Sequence, residues 1–271
     1  MTEGSVPAGG GVPAGGGDAA DRDHAARGFF VPLGDGRYRA TEHTAGPWDP
    51  GHQHAGPPSA LLAGALDDRD DMVLARITLE ILKPVPIGEV EVHTAVERPG
   101  RSVELLSGEL RVDGTPLVKA RAWRMLRSPV RVAPEYVPPP LPEPQEDDFG
   151  VFGYARAIEF RYATGGWRDL GPAQVWTRLK VAVVEGEEPT PLQRIMVVAD
   201  SGNGVSAALD WGSHLFINTE LSVHFLRPPE GEWICLDART EVEQAGLATS
   251  VLSDPTGVVA RGAQSLFIAK R

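Results

Sequence analysis

The chain has 271 residues, 42% of them hydrophobic, and a formal net charge of −11. That acidity argues against a nucleic-acid binder, which needs a basic footprint. Its single cysteine, Cys235, leaves no intrachain disulfide and no thiolate metal cluster, and no apolar run approaches the ~18 residues of a membrane span.

The start lacks a basic stretch followed by an apolar core, so no secretory signal is expected and a cytoplasmic setting fits. Residues 1–27 repeat Val-Pro-Ala-Gly-Gly-Gly at 6–11 and 12–17. Such a tract cannot bury apolar surface and is expected to be disordered. A phosphate-binding glycine loop would need a preceding strand and a lysine, and neither is present.

Residues 29–41 read as an opening strand pair turning at Gly34-Asp35-Gly36. Pro57-Pro58-Ser59 then opens a helix to about Leu66, because proline suits the first helical turn. The run Ala60 to Leu66 is apolar on every side, so the helix must be enclosed. Strands follow at 73–83 and 89–98, and 102–112 with 117–126 form a hairpin about Asp113-Gly114. The proline-rich stretch 129–146 reads as a stiff extended linker. It separates a module at 28–128 from one at 147–271.

The second module predicts a strand at 175–184. A capping-box signature, Thr190-Pro191-Leu192-Gln193, predicts a short helix to about Ala199. A further helix starts at Asp200-Ser201 and runs to about Leu209. Strands are expected at 215–226, 232–243, 248–252 and 258–268.

The two modules repeat one pattern. Gly56 precedes Lys83-Pro84 by 27 residues, as Asp200 precedes Arg227-Pro228. Overlaying Val112-Asp113-Gly114-Thr115-Pro116 on Ser253-Asp254-Pro255-Thr256-Gly257 extends the match. The overlay pairs Asp200 with Gly56, Asn218 with Leu74 and Gln264 with Trp123. One copy carries polar groups at all three places, which is how one active site per pair of modules would look.

An antiparallel sheet wrapped around one apolar helix, repeated and fused, is an α+β tandem (double) hotdog. The segment His54-Ala55-Gly56-Pro57-Pro58-Ser59-Ala60-Leu61-Leu62-Ala63 resembles the central-helix motif of thioesterase-like double-hotdog proteins. The segment Asn218 to Pro228, NTELSVHFLRP, resembles their second-copy strand. The likeness covers about 28–128 and 147–271 and is similar to the TesB-like acyl-CoA thioesterases. It implies an acyl-CoA substrate, no cofactor and no metal. It also implies an Asp at the start of the second-copy helix, a Thr on the next strand and a Gln on the last strand, which together hold a water against the thioester. Asp200 and Gln264 match the first and last. At the middle position the spacing from Arg227-Pro228 points to Asn218, whereas alternation with Leu221, Val223 and Phe225 points to Thr219. Only a bulge would reconcile the two. Hotdog pairs often associate further, so a homodimer is left open.

The chemistry follows from the residue types. A thiolate leaves readily, so thioester hydrolysis needs an activated water and no covalent nucleophile. A desolvated carboxylate becomes a better base at neutral pH, and amide or hydroxyl groups can fix the water. Backbone N–H groups at a helix start can stabilise the oxyanion. Pro57 and Pro58 remove such donors from the first copy, while Ser201 and Gly202 keep them in the second. Gly56 and His54 are expected to line the cleft from the opposing helix and its approach loop.

Bland readings stand beside these. Asp is an ordinary helix cap, and polar strand ends are common. Gln264, by contrast, shares a buried strand face and needs a partner. Asp49 and His54 have the spacing of the Asp/His pair of hotdog enoyl-CoA hydratases, though the intervening Asn-Pro is missing. A metal on His52-Gln53-His54 would lack a third histidine. No Gly-x-Ser-x-Gly elbow and no HExxH motif occurs. Lys83, Arg168, Arg178, Arg194 and Arg227 are candidates to meet coenzyme A phosphates, with surface solvation the default. A non-catalytic acyl-CoA or acyl-intermediate binding protein is the rival from another class.

Overall fold

The computed structural model describes residues 27–132, 135–145 and 152–271. The expected disordered tail therefore lies, except for Arg27, outside the described residues. The first half contains β1 (Gly28–Gly34), β2 (Arg37–Ala40), α1 (Gly56–Leu66), β3 (Met72–Ile81), β4 (Glu89–Arg98), β5 (Val103–Val112) and β6 (Thr115–Leu126). The second contains α2 (Gly153–Arg156), β7 (Ile158–Thr164), β8 (Ala173–Leu179), β9 (Ala182–Val184), α3 (Pro191–Ala199) and α4 (Gly202–Val205). It ends with β10 (His214–Asn218), β11 (Glu220–Phe225), β12 (Ile234–Val242), β13 (Gly246–Asp254) and β14 (Gly257–Lys270).

Among the described residues, all fourteen strands join one sheet, in the order β7-β8-β12-β13-β14-β11-β3-β6-β5-β4-β2-β1-β9, with β10 pairing on β14. Every ladder is antiparallel except β1 with β9. This is the double hotdog. The two half-sheets meet at β3 and β11, where each half would otherwise expose an unpaired edge. In that seam Thr78 pairs with Ser222, Leu79 with Leu221 and Ile77 with Val223. Thr78 and Ser222 are repeat-mates, so the local twofold passes between them, and their hydroxyl oxygens lie 3.1 Å apart.

Helix α1 is enclosed, as its sequence requires. Ala60, Leu61, Leu62, Ala63 and Leu66 are buried, and the helix packs on α3 and under β4 and β5. The capping box on α3 is formed in full, with Thr190 Oγ1 accepting from Gln193 N and Gln193 Oε1 accepting from Thr190 N. Such a cap stabilises a helix by about 1 kcal/mol. At the β5–β6 turn Asp113 and Gly114 both have positive φ, as a type I′ hairpin demands.

Several elements differ from the sequence-based expectation. The predicted strand 175–184 is two strands, because β9 leaves β8 and crosses to pair with β1. The predicted helix 200–209 shrinks to α4, since Gly202 and Gly204 are poor helix formers. In addition Ser206 Oγ donates back to Gly202 O. Strand β7 and the short helix α2 have no counterpart among the predicted elements. Residues 135–145 cross from β12 over β8 to the outer strand β7. There Gln145 exchanges two 2.9 Å hydrogen bonds with the Tyr162 backbone, and Trp176 Nε1 donates to Pro139 O. A side chain thus satisfies part of an open sheet edge.

The repeat overlay needs one correction. Ser222 pairs with Ala263 while its mate Thr78 pairs with Arg121. Gln264 therefore corresponds to Ala122, not Trp123. Matching the two aspartates caused the slip. Asp113 is a turn residue with positive φ, whereas Asp254 ends a strand and receives Arg227 at 2.6 and 2.7 Å. The asymmetry survives, because Ala122 is apolar and fully buried.

Candidate active site

Helix α3 ends against the start of α1, and Asp200 is the residue just beyond that end. The approach is close. A Cβ on Gly56 would lie 2.1 Å from Val197 O, so only glycine fits there. Asp200 is 3% exposed. Its Oδ1 accepts from Asn218 Nδ2 at 2.8 Å and from Gln264 Nε2 at 3.2 Å. Its Oδ2 lies 3.1 Å from His54 Nδ1. Burial pushes the carboxyl up to about 7, against the opposing pull of the Asn218 and Gln264 amides and the Gly56 and Ala55 N–H groups. The group therefore changes charge near neutral pH, where a base is useful.

Asn218 reaches Asp200 because the strand bulges. Asn218 pairs with Leu266, but Ser222 pairs with Ala263, so one extra residue is accommodated between β10 and β11. The first half bulges at the equivalent place, between Leu74 and Arg76. The bulge keeps Asn218 on the inner side with Leu221 and Val223. Thr219 is turned outward. It is exposed, its N–H donates to Ser265 O at 3.0 Å, and its hydroxyl donates to the same oxygen at 3.4 Å.

Gln264 is a connector. Its Nε2 also donates to Asp200 O at 3.1 Å, and its Oε1 accepts from Asn203 N at 3.1 Å. Gly202 makes room for it, since a Cβ there would sit 2.8 Å from Gln264 Oε1. The backbone donors expected from the second copy are largely engaged. Ser201 N bonds Val198 O, Asn203 N bonds Gln264, and Gly204 N bonds Ser201 O. The N–H groups that face the carboxylate come from the first copy, at Ala55 and Gly56. That reverses the sequence-based expectation. The physical reason is that α4 is a single turn folded back on itself, while α1 is a full helix whose positive end abuts Asp200.

His54 is neither exposed nor paired with Asp49. Its ring stacks on Tyr154 with centroids 3.7 Å apart and planes at 2°, and its Nδ1 accepts from Gly56 N at 3.1 Å. Burial lowers its pKa to about 3, so the imidazole is neutral; in the tautomer protonated at Nδ1 it donates to Asp200 Oδ2 in place of accepting from Gly56 N. Asp49 instead lies 3.2 Å from His52. Tyr154 Oη donates to Val197 O at 2.9 Å and lies 2.7 Å from Ser201 Oγ. Ser201 thus supports the wall of the site through its hydroxyl.

These groups open onto a cavity of about 530 Å³, lined among others by His54, Tyr154, Asp200, Ser201, Asn218 and Thr219. Three of the six tryptophans, Trp48, Trp167 and Trp211, also line it. Neither they nor Tyr154 stood out in the repeat, because they lie in segments the two halves do not share. One signal was available. Each of these tryptophans sits among turn residues, in Pro47-Trp48-Asp49, Gly166-Trp167-Arg168 and Asp210-Trp211-Gly212, where a large apolar ring needs a reason.

Of the basic candidates, Lys83 lines the mouth of this cavity and Arg168 lines a neighbouring one. Arg178 pairs with Glu159 and Glu232, Arg194 with Glu188, and Arg227 with Asp254. Among the described residues no helix is long and apolar enough to cross a membrane.

Residues 44–125 match the acyl-CoA thioesterase N-terminal domain, and residues 134–268 match the acyl-CoA thioesterase C-terminal domain. No curated protein matches the chain. The fold is similar to a hot dog fold protein of unknown function from Alicyclobacillus acidocaldarius (TM-score 0.69, 14% identity, 86% of this chain and 92% of that one). It is also similar to the tesB protein of Mycobacterium avium subsp. paratuberculosis (TM-score 0.63, 17% identity, 89% and 96%). A third likeness is to acyl-CoA thioesterase II TesB2 of Mycobacterium marinum (TM-score 0.61, 13% identity, 89% and 96%). At these identities the structures speak for the fold alone, whereas the two domain matches, one per half and in order, place the chain in the acyl-CoA thioesterase family.

Proposed function

We propose that this protein hydrolyses acyl-CoA thioesters to a free acid and coenzyme A, using a water held at Asp200. One observation carries the reading. A buried carboxyl whose pKa lies near neutrality is gripped by two side-chain amides at the wall of a largely apolar cavity. The ionised carboxylate takes a proton from the water as the oxygen attacks the thioester carbon. The tetrahedral intermediate collapses by breaking the C–S bond, and the departing thiolate takes up a proton. Asn218 and Gln264 keep the carboxylate oriented. The positive end of α1, with the Ala55 and Gly56 N–H groups, favours the negative charge that develops there. Neutral His54, in the tautomer protonated at Nδ1, donates to the carboxylate's second oxygen and is itself held flat by Tyr154.

The test is thiol release from a panel of acyl-CoA esters, run with the wild type and with Asp200→Asn. Turnover by the wild type and its loss in the variant support the reading. Equal turnover by both removes Asp200 from the mechanism. An inert wild type that still binds the esters would make this a carrier of acyl-CoA.

A further inference from the structure

The cavity has two unlike sides. On one side it is bounded by Ile81, Leu82, Lys83 and Phe267, of which Leu82 is 50% and Phe267 57% exposed. Another part of its wall carries a group of aromatic rings, most of them partly buried. Trp48 and Trp211 stack with centroids 4.9 Å apart and planes at 26°. Trp211 stacks on Trp167 at 6.3 Å and 26°. Phe152 and Phe160 lie 5.9 and 6.5 Å from Trp167. Asp200 stands between the two sides. Asn218, which grips it, adjoins Thr219 at the mouth, while His54, on its other oxygen, stacks on Tyr154, whose ring lies 6.4 Å from Phe152. A thioester at Asp200 therefore directs its acyl part along the rings if its thiol part leaves through the mouth.

The aromatic side also abuts a second cavity. Phe152, Trp167 and Trp211 line that cavity as well, of about 760 Å³, so they form the partition between the two. A long alkyl chain would meet that partition and would lose rotamer freedom at each methylene it ordered. A planar ring loses little, and it gains offset or edge-to-face contact with walls already set in such geometries. Resting on the thioesterase reading of the same site, we propose that the acyl group accepted here carries an aromatic ring, held by Trp48, Trp167 and Trp211.

Three measurements decide it. In the first, kcat/KM is compared for the coenzyme A esters of phenylacetate, 3-phenylpropanoate, octanoate and palmitate. The aryl esters are expected to be favoured at least ten-fold over octanoyl-CoA, and equal or greater use of the linear esters overturns the proposal. In the second, calorimetry measures binding of the same esters to Asp200→Asn. Tighter binding of the aryl esters, even with an inert wild type, upholds the ring site while rejecting hydrolysis. Hydrolysis with linear preference does the reverse. In the third, Trp211→Leu should cut the aryl-to-octanoyl ratio at least five-fold, and Trp167→Ala should raise use of palmitoyl-CoA by joining the cavities. Ratios unmoved in both well-folded variants overturn the proposal, and the wild-type panel decides it should either variant fail to fold.

Discussion

The two helix starts of this molecule, at Gly56 and at Asp200, occupy equivalent places and have diverged in opposite directions. At Gly56 the chain gave up its side chain. Pro57 and Pro58 then begin an uninterrupted, fully enclosed helix whose positive end points across the seam. At Asp200 the chain kept a carboxyl and lost the long helix, leaving one turn of α4 knotted to Gln264 through the Asn203 N–H. Each half supplies what the other lacks. The regular half provides a dipole and a close backbone surface, and the irregular half provides the titrating group and its amide clamps. A single buried carboxylate needs both, because burial alone would leave it protonated at neutral pH.

The comparison can be broken most sharply at Asp200. Asp200→Asn keeps the shape and should lower kcat/KM for acyl-CoA hydrolysis by about 10³-fold, the usual worth of a positioned base. Thiol release measures it. The other start is tested by Gly56→Ala. The added Cβ would meet Val197 O at 2.1 Å, a backbone contact that only separation of α1 from α3 can relieve. A loss of about 3 kcal/mol is expected in denaturant titration, and an unchanged midpoint would mean that the helices are less closely tied.

The pH dependence sharpens the role of burial. If ionised Asp200 is the active form, kcat/KM should fall about ten-fold per pH unit below about 7 and level off above it. Stability should move the other way. A carboxyl raised by folding binds its proton more tightly in the folded state, so its contribution is complete below the ordinary carboxylate range and is lost as pH climbs to about 7. Neutral His54, lowered by burial, adds stability above the ordinary histidine value that is lost as pH falls toward about 3. Melting curves of Asp200→Asn against pH should lack only the first of these slopes. The smallest expected effects separate the bulge neighbours. Asn218→Ala should cost about ten-fold in kcat/KM through its lost hydrogen bond, and Thr219→Ala about two-fold or less.

The alternation of Leu221, Val223 and Phe225, the capping box at Thr190 and the Asp113-Gly114 turn are local patterns, and periodicity or turn chemistry suffices to read them. The doubled spacing from Gly56 and from Asp200 to a basic residue and a proline made the duplication legible, and with it three polar places in one half. Those features are carried along the chain, so the residues themselves determine them. Other features arise only where distant segments meet. The one-residue bulge that turns Asn218 inward and Thr219 outward depends on β14. The mate of Gln264 is Ala122 because ladders, not matching aspartates, set register. His54 finds Asp200 instead of Asp49 because α1 is pressed against the end of α3, and Tyr154, on α2, converges with the three tryptophans from segments that share no repeat. Tertiary packing decided these, since desolvation, stacking and strand register are properties of neighbours in space that no local stretch of residues contains.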